Sequence, residues 1–325
     1  MKAVGFSHYG SPDHLEVREV PVPKPADDEL LIQVHASSVN SWDWEFLSGK
    51  PVVNRLMFGL WRPKPGRQIL GADVAGMVVA VGRAVTCFQP GDMVFGDLWD
   101  HFGAFAEFVC ARPDAVVAMP EEVSFAEAAA LPQAAVLARN GLRKASHLQP
   151  GQQVLINGAG GGVGSFAIQL ARLAGAEVTG VDRAHKADGM RAAGADHVMD
   201  CAHDDFTRHS GRYDLIIDCQ NYRPPAANRR ALTPDGTYAM IGGSMARAMQ
   251  LLWLGRLSAR RGDRQWMGLV ADGPGNGLAE LGALLAARQI RPLIDRTYPL
   301  AQVPEALRYF GEGRHQGKIS IVMDA

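Results

Sequence analysis

The sequence predicts an α/β protein in which a doubly wound parallel sheet is inserted into a discontinuous, β-rich domain. Three observations predict it. Five glycines crowd the seven positions 158–164, between an apolar strand and an amphipathic helix. Strand and helix patterns alternate from there to about residue 241, as in parallel sheets covered on both faces. Before residue 122 the chain reads instead as short strands cut by Gly and Pro, and after 266 that texture returns.

The first part contains strand patterns at 2–6, 15–20, 29–39, 77–81, 92–96, 105–111 and 116–119. Pro12, Pro21, Pro23, Pro25 and Pro90-Gly91 punctuate them, since proline lacks the N–H that a sheet ladder needs. At Ser124 the texture changes. Glu127 stands three residues after it, a capping-box spacing that opens alanine-rich helices at 125–131 and 134–145.

The strand 154–157 then runs into Gly158 and the loop Gly160-Gly161-Gly162-Val163-Gly164, followed by a helix at 165–173. Without Cβ atoms the backbone turns sharply and approaches a pyrophosphate closely, and the helix start presents free N–H groups and a positive dipole end to it. The pattern predicts a Rossmann-type dinucleotide site. The next strand, 177–181, leads to Asp182, about 20 residues beyond the loop, where a carboxylate accepts the ribose hydroxyls of NAD. Arg183 and Lys186 follow, and cations there hold the 2′-phosphate of NADP. A carboxylate facing that phosphate at 4 Å costs about 4 kcal/mol at an effective dielectric near 20, which two cations offset. These residues leave both cofactors open; NADP(H) is the favoured expectation and NAD(H) the other.

Further patterns mark a helix at 186–192, strands at 197–199 and 215–219, a helix at 225–232 and a strand at 238–241. Asn221 and Gly242-Gly243-Ser244 follow strand ends, at the carboxyl edge where open α/β sheets bind ligands. A strand at 266–270, a helix at 278–288 and a closing strand at 317–323 complete the chain. The expected domains are 1–122 with 266–325, and 123–265.

With 33 basic and 34 acidic residues, no electrostatic footprint for nucleic acid or an anionic membrane is present. The cluster Arg256, Arg260, Arg261, Arg264 reads as a solvated helix face. Cys87, Cys110, Cys201 and Cys219 form no CxxC pair, so neither a zinc knuckle nor a disulfide framework follows. No apolar run reaches the roughly 18 residues of a membrane span, and the expected compartment is the cytoplasm.

The order of parts, with Ser38-Val-Asn40-Ser-Trp-Asp43, Gly71-Ala-Asp73-Val-Ala-Gly76, Pro90-Gly-Asp-Met-Val-Phe-Gly96, Gly103-Ala-Phe-Ala-Glu-Phe108, the glycine loop, Gly242-Gly-Ser244 and Gly317-Lys318, resembles the medium-chain dehydrogenase/reductase superfamily. Within it the chain resembles the zinc-independent quinone oxidoreductase and enone reductase branch. The resemblance implies a GroES-like β-rich domain, a small-molecule acceptor, a homodimer, and hydride transfer from NAD(P)H to quinones or α,β-unsaturated carbonyls. It places Asn40 and Asp43 at the reacting centre, and Gln133 and Lys318 near the nicotinamide. Asn40 either donates its amide to the substrate oxygen or caps the helix that follows, and Asp43 has a structural alternative.

The departures carry equal weight. Zinc alcohol dehydrogenases of the superfamily have a Cys near the Asn40 segment and His-Glu after the glycine at the Gly71 position; here Ala72-Asp73 stands there. No metal is therefore expected, and alcohol oxidation loses its Lewis acid. Glu45 occupies the place of a tyrosine that some members use, leaving His101 of the loop 97–103 or solvent as the proton source. Two other functions fit the sequence: an enoyl-thioester reductase using Arg55, Arg62, Lys64 and Arg67 against a phosphate, and a non-catalytic NAD(P)H-binding redox sensor.

Overall fold

A computed structural model describes residues 1–52, 54–145, 148–243, 246–253, 264–270 and 277–323. The chain forms two units, Met1–Gln133 with Gly273–Ala325, and Ala134–Asp272.

In the first unit β1 (Lys2–Phe6) and β2 (Leu15–Glu19) form an antiparallel ribbon. A seven-stranded sheet is built from β3 (Leu30–Val39), β4 (Asp73–Val81), β5 (Met93–Asp97), β6 (Phe108–Ala111), β7 (Val116–Ala118), β14 (Ile294–Pro299) and β15 (Lys318–Val322). Its path is β14-β15-β3-β4-β5-β7, with β6 also on β3. Strand β3 explains the sheet's position: Leu30, Ile32 and Val34 alternate inward with period two and join Val74, Val78 and Val94 in one core. A second core gathers Phe6, Phe46, Phe58, Phe102 and Phe105.

Register decides where polar side chains meet. Asp73, first in β4, lies opposite both Ser38 of β3 and Asp97 of β5. On the other edge of β3, Val39 faces Ile319, the neighbour of Lys318. Residues far apart in sequence thus converge at the end of β3.

The second unit holds six parallel strands: β8 (Gln153–Asn157), β9 (Glu177–Asp182), β10 (His197–Asp200), β11 (Tyr213–Asp218), β12 (Leu232–Met240) and β13 (Trp266–Leu269). Their order is β10-β9-β8-β11-β12-β13, the doubly wound arrangement. Val154, Leu155 and Ile156 are all fully buried, as strands covered on both faces must be. Tyr213, Ile216 and Tyr238 fill the core beside them.

The units divide at 133/134 and 272/273, beyond the expected 122/123 and 265/266. Strand β13 pairs in parallel with β12, Trp266 opposite Thr237, so the strand expected to return to the first domain belongs to the second. Composition cannot assign a strand to a sheet; pairing does. The helix Phe125–Ala129 packs on β3 and β4 and stays with the first unit. Strand β14 was not expected because its sequence is polar and only partly buried. The helix Val303–Gly311 was not expected either.

Candidate active site

In the first unit the site is organised by Asp73, which is fully buried. Its Oδ2 accepts the Ser38 hydroxyl at 2.6 Å, the Asn40 Nδ2 amide at 2.8 Å and the Lys318 ammonium at 3.1 Å. Its Oδ1 accepts the backbone N–H of Gln133 at 3.0 Å. Lys318 also donates to Val39 O at 3.2 Å and to Asn40 Oδ1 at 2.5 Å. Burying a carboxylate and an ammonium costs several kcal/mol each unless they are paired and their remaining hydrogen-bonding capacity is met. Here both conditions hold.

Asn40 is fixed from both ends of its amide, and one of its two Nδ2 hydrogens is committed to Asp73. Its backbone is extended, and it is the residue at which β3 ends and the helix Ser41–Ser48 begins. Asp43, also buried, accepts the Asn40 N–H at 2.8 Å and the Gly71 N–H at 2.8 Å. It therefore ties the helix start to the turn before β4. Gly71 has φ +90, and a Cβ there would lie 2.7 Å from the Phe105 ring and backbone, so only glycine fits. Burial pushes the Asp43 carboxyl up to about 7, against the two N–H groups that favour its charge. Gln133 joins the cluster through its backbone, and Lys318 through its side chain.

The thioester cations are partly committed. Arg55 donates to Gly49 O at 3.1 Å and lies over the Tyr9 ring, and Arg67 lies over Phe58. Arg62 and Lys64 are exposed. His101 pairs through Nδ1 with the Asp100 carboxylate at 2.7 Å.

In the second unit the glycine loop is laid against β9. Gly158 and Ala159 donate to Val181 O at 2.9 and 3.1 Å. Ser165 is the first residue of the following helix, Gly162–Leu173, to donate back, to Gly161 O at 2.9 Å. The N–H groups of a helix's first turn before that point find no partner within the helix, and here they belong to Gly162, Val163 and Gly164. The glycines differ in purpose. A Cβ on Gly164 would lie 2.2 Å from Gly158 O, whereas one on Gly161 would meet only that oxygen, at 3.5 Å. Gly164 is needed for packing; Gly161 leaves the approach to the helix end open.

Asp182 is mostly buried, and its oxygens accept the Gly160 N–H at 3.0 Å and the Arg183 N–H at 2.8 Å. Lys186 lies 3.7 Å from it, buried, with its stem over Gly160, where a Cβ would come within 2.6 Å. The Arg183 side chain is exposed.

At the ends of β8 and β11 a second buried carboxylate, Asp218, accepts Asn157 Nδ2 at 2.8 Å, the Asn221 N–H at 2.6 Å and the Tyr238 hydroxyl at 2.7 Å. Burial pushes its carboxyl up. Asn221 has φ +51, is almost wholly buried, and donates Nδ2 to Met240 Sδ. A Cβ on Gly242 would meet Cys219 O at 2.6 Å, and one on Gly243 would meet Asn221 Cβ at 2.5 Å, so both glycines keep the chain ends close. Ser244 lies outside the described residues.

Asp73, Ser38, Asp218 and Asn157 were not picked out as site residues from the sequence. The signal available was an acidic residue at the edge of an otherwise apolar strand in Asp73-Val-Ala and Ile217-Asp218.

The donor set near Asp73 does not suit zinc. The carboxylate already carries an ammonium, and its neighbours are a hydroxyl and an amide, not the sulfur or imidazole ligands that zinc takes. Among the described residues, no group of three or more His, Cys, Asp or Glu side chains could hold a metal ion, and no helix is long and apolar enough to cross a membrane.

Residues 26–121 match the family described as alcohol dehydrogenase GroES-like domain, and residues 193–321 the family described as zinc-binding dehydrogenase. A chloroplastic quinone-oxidoreductase homolog of Spinacia oleracea is 32% identical over 333 residues, covering 99% of this chain and 98% of its own. A 2-methylene-furan-3-one reductase of Solanum lycopersicum is 30% identical over 333 residues, covering 99% and 79%. The solved quinone oxidoreductase from Coxiella burnetii superposes with a TM-score of 0.86 at 28% identity, covering 100% of this chain and 99% of that one.

Proposed function

This chain belongs to the medium-chain dehydrogenase/reductase superfamily, in its quinone oxidoreductase and enone reductase branch, and from that premise we propose that it reduces quinones or α,β-unsaturated carbonyls with NADPH and without zinc. A bound dihydronicotinamide supplies the hydride. The acceptor needs only stabilisation of the oxygen on which negative charge develops, which a fixed hydrogen-bond donor provides.

The single observation that carries this reading is the fixing of Asn40. Lys318 donates to its Oδ1 and Asp73 takes one Nδ2 hydrogen, leaving the second for the substrate oxygen. The ammonium on Oδ1 polarises the amide and strengthens that donor. Asp43 acts behind it, holding the Asn40 backbone. The product is protonated by water. Metal independence is supported by Ala72-Asp73, which by resemblance stands where the zinc enzymes carry His-Glu, and by the pairing of Asp73 with the Lys318 ammonium.

Gly160–Gly164 would hold the pyrophosphate, with Asp182 and Arg183 at the ribose. NADPH is favoured because the Asp182 charge is already offset by Lys186 and two backbone N–H groups, while Arg183 extends into solvent. The proposed assembly is a homodimer, measurable by light scattering, and the proposed compartment is the cytoplasm.

The test follows nicotinamide oxidation by chelator-treated protein with 1,4-benzoquinone and with a simple enone, supplying NADPH and NADH in turn. Turnover with NADPH above that with NADH is expected. Turnover that appears only after zinc is added overturns the metal-free reading; none under any condition overturns the reductase.

A further inference from the structure

Two strands that flank Asp73 end in the same way. Ser38 and Asp97 are both register partners of Asp73, and a tryptophan follows shortly after each strand: Trp42 three residues after Val39, and Trp99 two after Asp97. Their indole centroids are 5.3 Å apart with planes tilted by 49°. Both are half-buried. Behind them a column of rings runs into the core: Trp42 stacks on Phe46 at 5.4 Å, and Phe46 on Phe58 at 3.5 Å.

The loop that carries Trp99 is built at a cost. Phe102 sits at φ +61, a conformation that bulky L-residues rarely adopt. It is held there by burial of its ring, edge-on to Phe46 and Phe58, and by hydrogen bonds from Phe102 N to Leu98 O and from Ala104 N to Gly71 O. Such strain persists only where the surroundings over-determine it. Leu98 N also bonds to Ala72 O, which ties the loop to the residue beside Asp73.

We propose that Trp42 and Trp99, the open end of this column, form a stacking platform for the ring of the acceptor, so that the preferred substrates are flat, aromatic-ring quinones, not short aliphatic enones. This rests on the reductase reading and narrows its substrate class. The loop that carries Trp99 is bonded to Ala72, beside the Asp73 that holds the Asn40 amide, and on this proposal a ring held on the platform presents its carbonyl oxygen to that amide. The indoles contribute binding that is equal in ground and transition states, so their loss raises KM more than it lowers kcat.

The experiment compares wild type, Trp99→Ala and Trp99→Phe in NADPH-dependent reduction of 1,4-naphthoquinone and of 3-buten-2-one. Trp99 is chosen because Trp42 also packs on Phe46 and its loss endangers the fold. Trp99→Ala should raise KM for the naphthoquinone, relative to that for the butenone, by about three- to tenfold. Trp99→Phe, which keeps a ring, should recover most of that ratio. An unchanged ratio overturns the platform and leaves the reductase standing. A second measurement is independent of turnover: quenching of tryptophan fluorescence by 1,4-dimethoxynaphthalene, which accepts no hydride. Saturable quenching weakened in Trp99→Ala by a similar factor is expected, and its absence in wild type overturns the platform even if the protein reduces nothing.

Discussion

Lys318 and Asp73 meet at 3.1 Å with only 3% and 0% of their side chains exposed, although 245 positions separate them in the chain. The ammonium neutralises the one carboxylate on which Ser38, Asn40 and Gln133 converge. The pair therefore ties the geometry of Asn40 to the stability of the first unit.

Lys318→Met leaves Asp73 buried without its cation, which should destabilise the protein by about 3–5 kcal/mol. Adding Asp73→Asn should recover a substantial part of that loss, because no uncompensated charge remains. Denaturant unfolding of both variants checks this; a double mutant no more stable than the single one excludes the charge argument.

Gly161→Asp and Gly164→Ala should fail differently. The first puts a carboxylate into open space at the helix start and should weaken NADPH binding at least about tenfold with little change in melting temperature. The second drives a methyl into Gly158 O and should lower the melting temperature first. Fluorescence titration with thermal denaturation separates the two outcomes.

Asp182→Asn keeps an acceptor for the Gly160 N–H while removing the charge. The NADPH/NADH ratio of kcat/KM should rise by about tenfold, a modest fraction of the repulsion available at contact. A flat ratio would mean that Asp182 serves only to brace the glycine loop.

Asp43 predicts a pH signature. Its carboxyl titrates near 3.8 when unfolded and at about 7 in the fold. Below pH 4 both states hold the proton. Between 4 and 7 the folded state keeps a proton that the unfolded chain has lost, so stability falls as pH rises and levels off above 7. Asp43→Asn should flatten that slope, the difference accumulating to on the order of 4 kcal/mol across the window. Parallel slopes for the two proteins would show that Asp43 is charged throughout.

The sequence made the second unit legible because its signals are local. A glycine loop between strand and helix, and strands followed by helices, can be read within about 30 residues. What it hid was pairing. Trp266–Leu269 has the look of the first domain and the hydrogen bonds of the second. Asp182 was legible as a carboxylate at a strand end, but not as the acceptor that fixes Gly160. Lys318 was identified by resemblance alone, since nothing near residue 318 announces a buried partner on β4. Asn221 reads as a loop residue; only the fold reveals its burial beside Asp218.

The first unit's sheet also imposes an order on synthesis. Strand β15 lies between β3 and β14, so β3 leaves the ribosome roughly 280 residues before the neighbour that completes one of its edges. At about 5–20 residues per second, the nascent chain spends tens of seconds with the Ala36–Val39 part of that edge open and Asp73 without its cation. The second unit, whose strands and helices are contiguous in sequence, is free to fold during that interval. Chaperone dependence of this protein should therefore centre on the N-terminal segment awaiting its final strand.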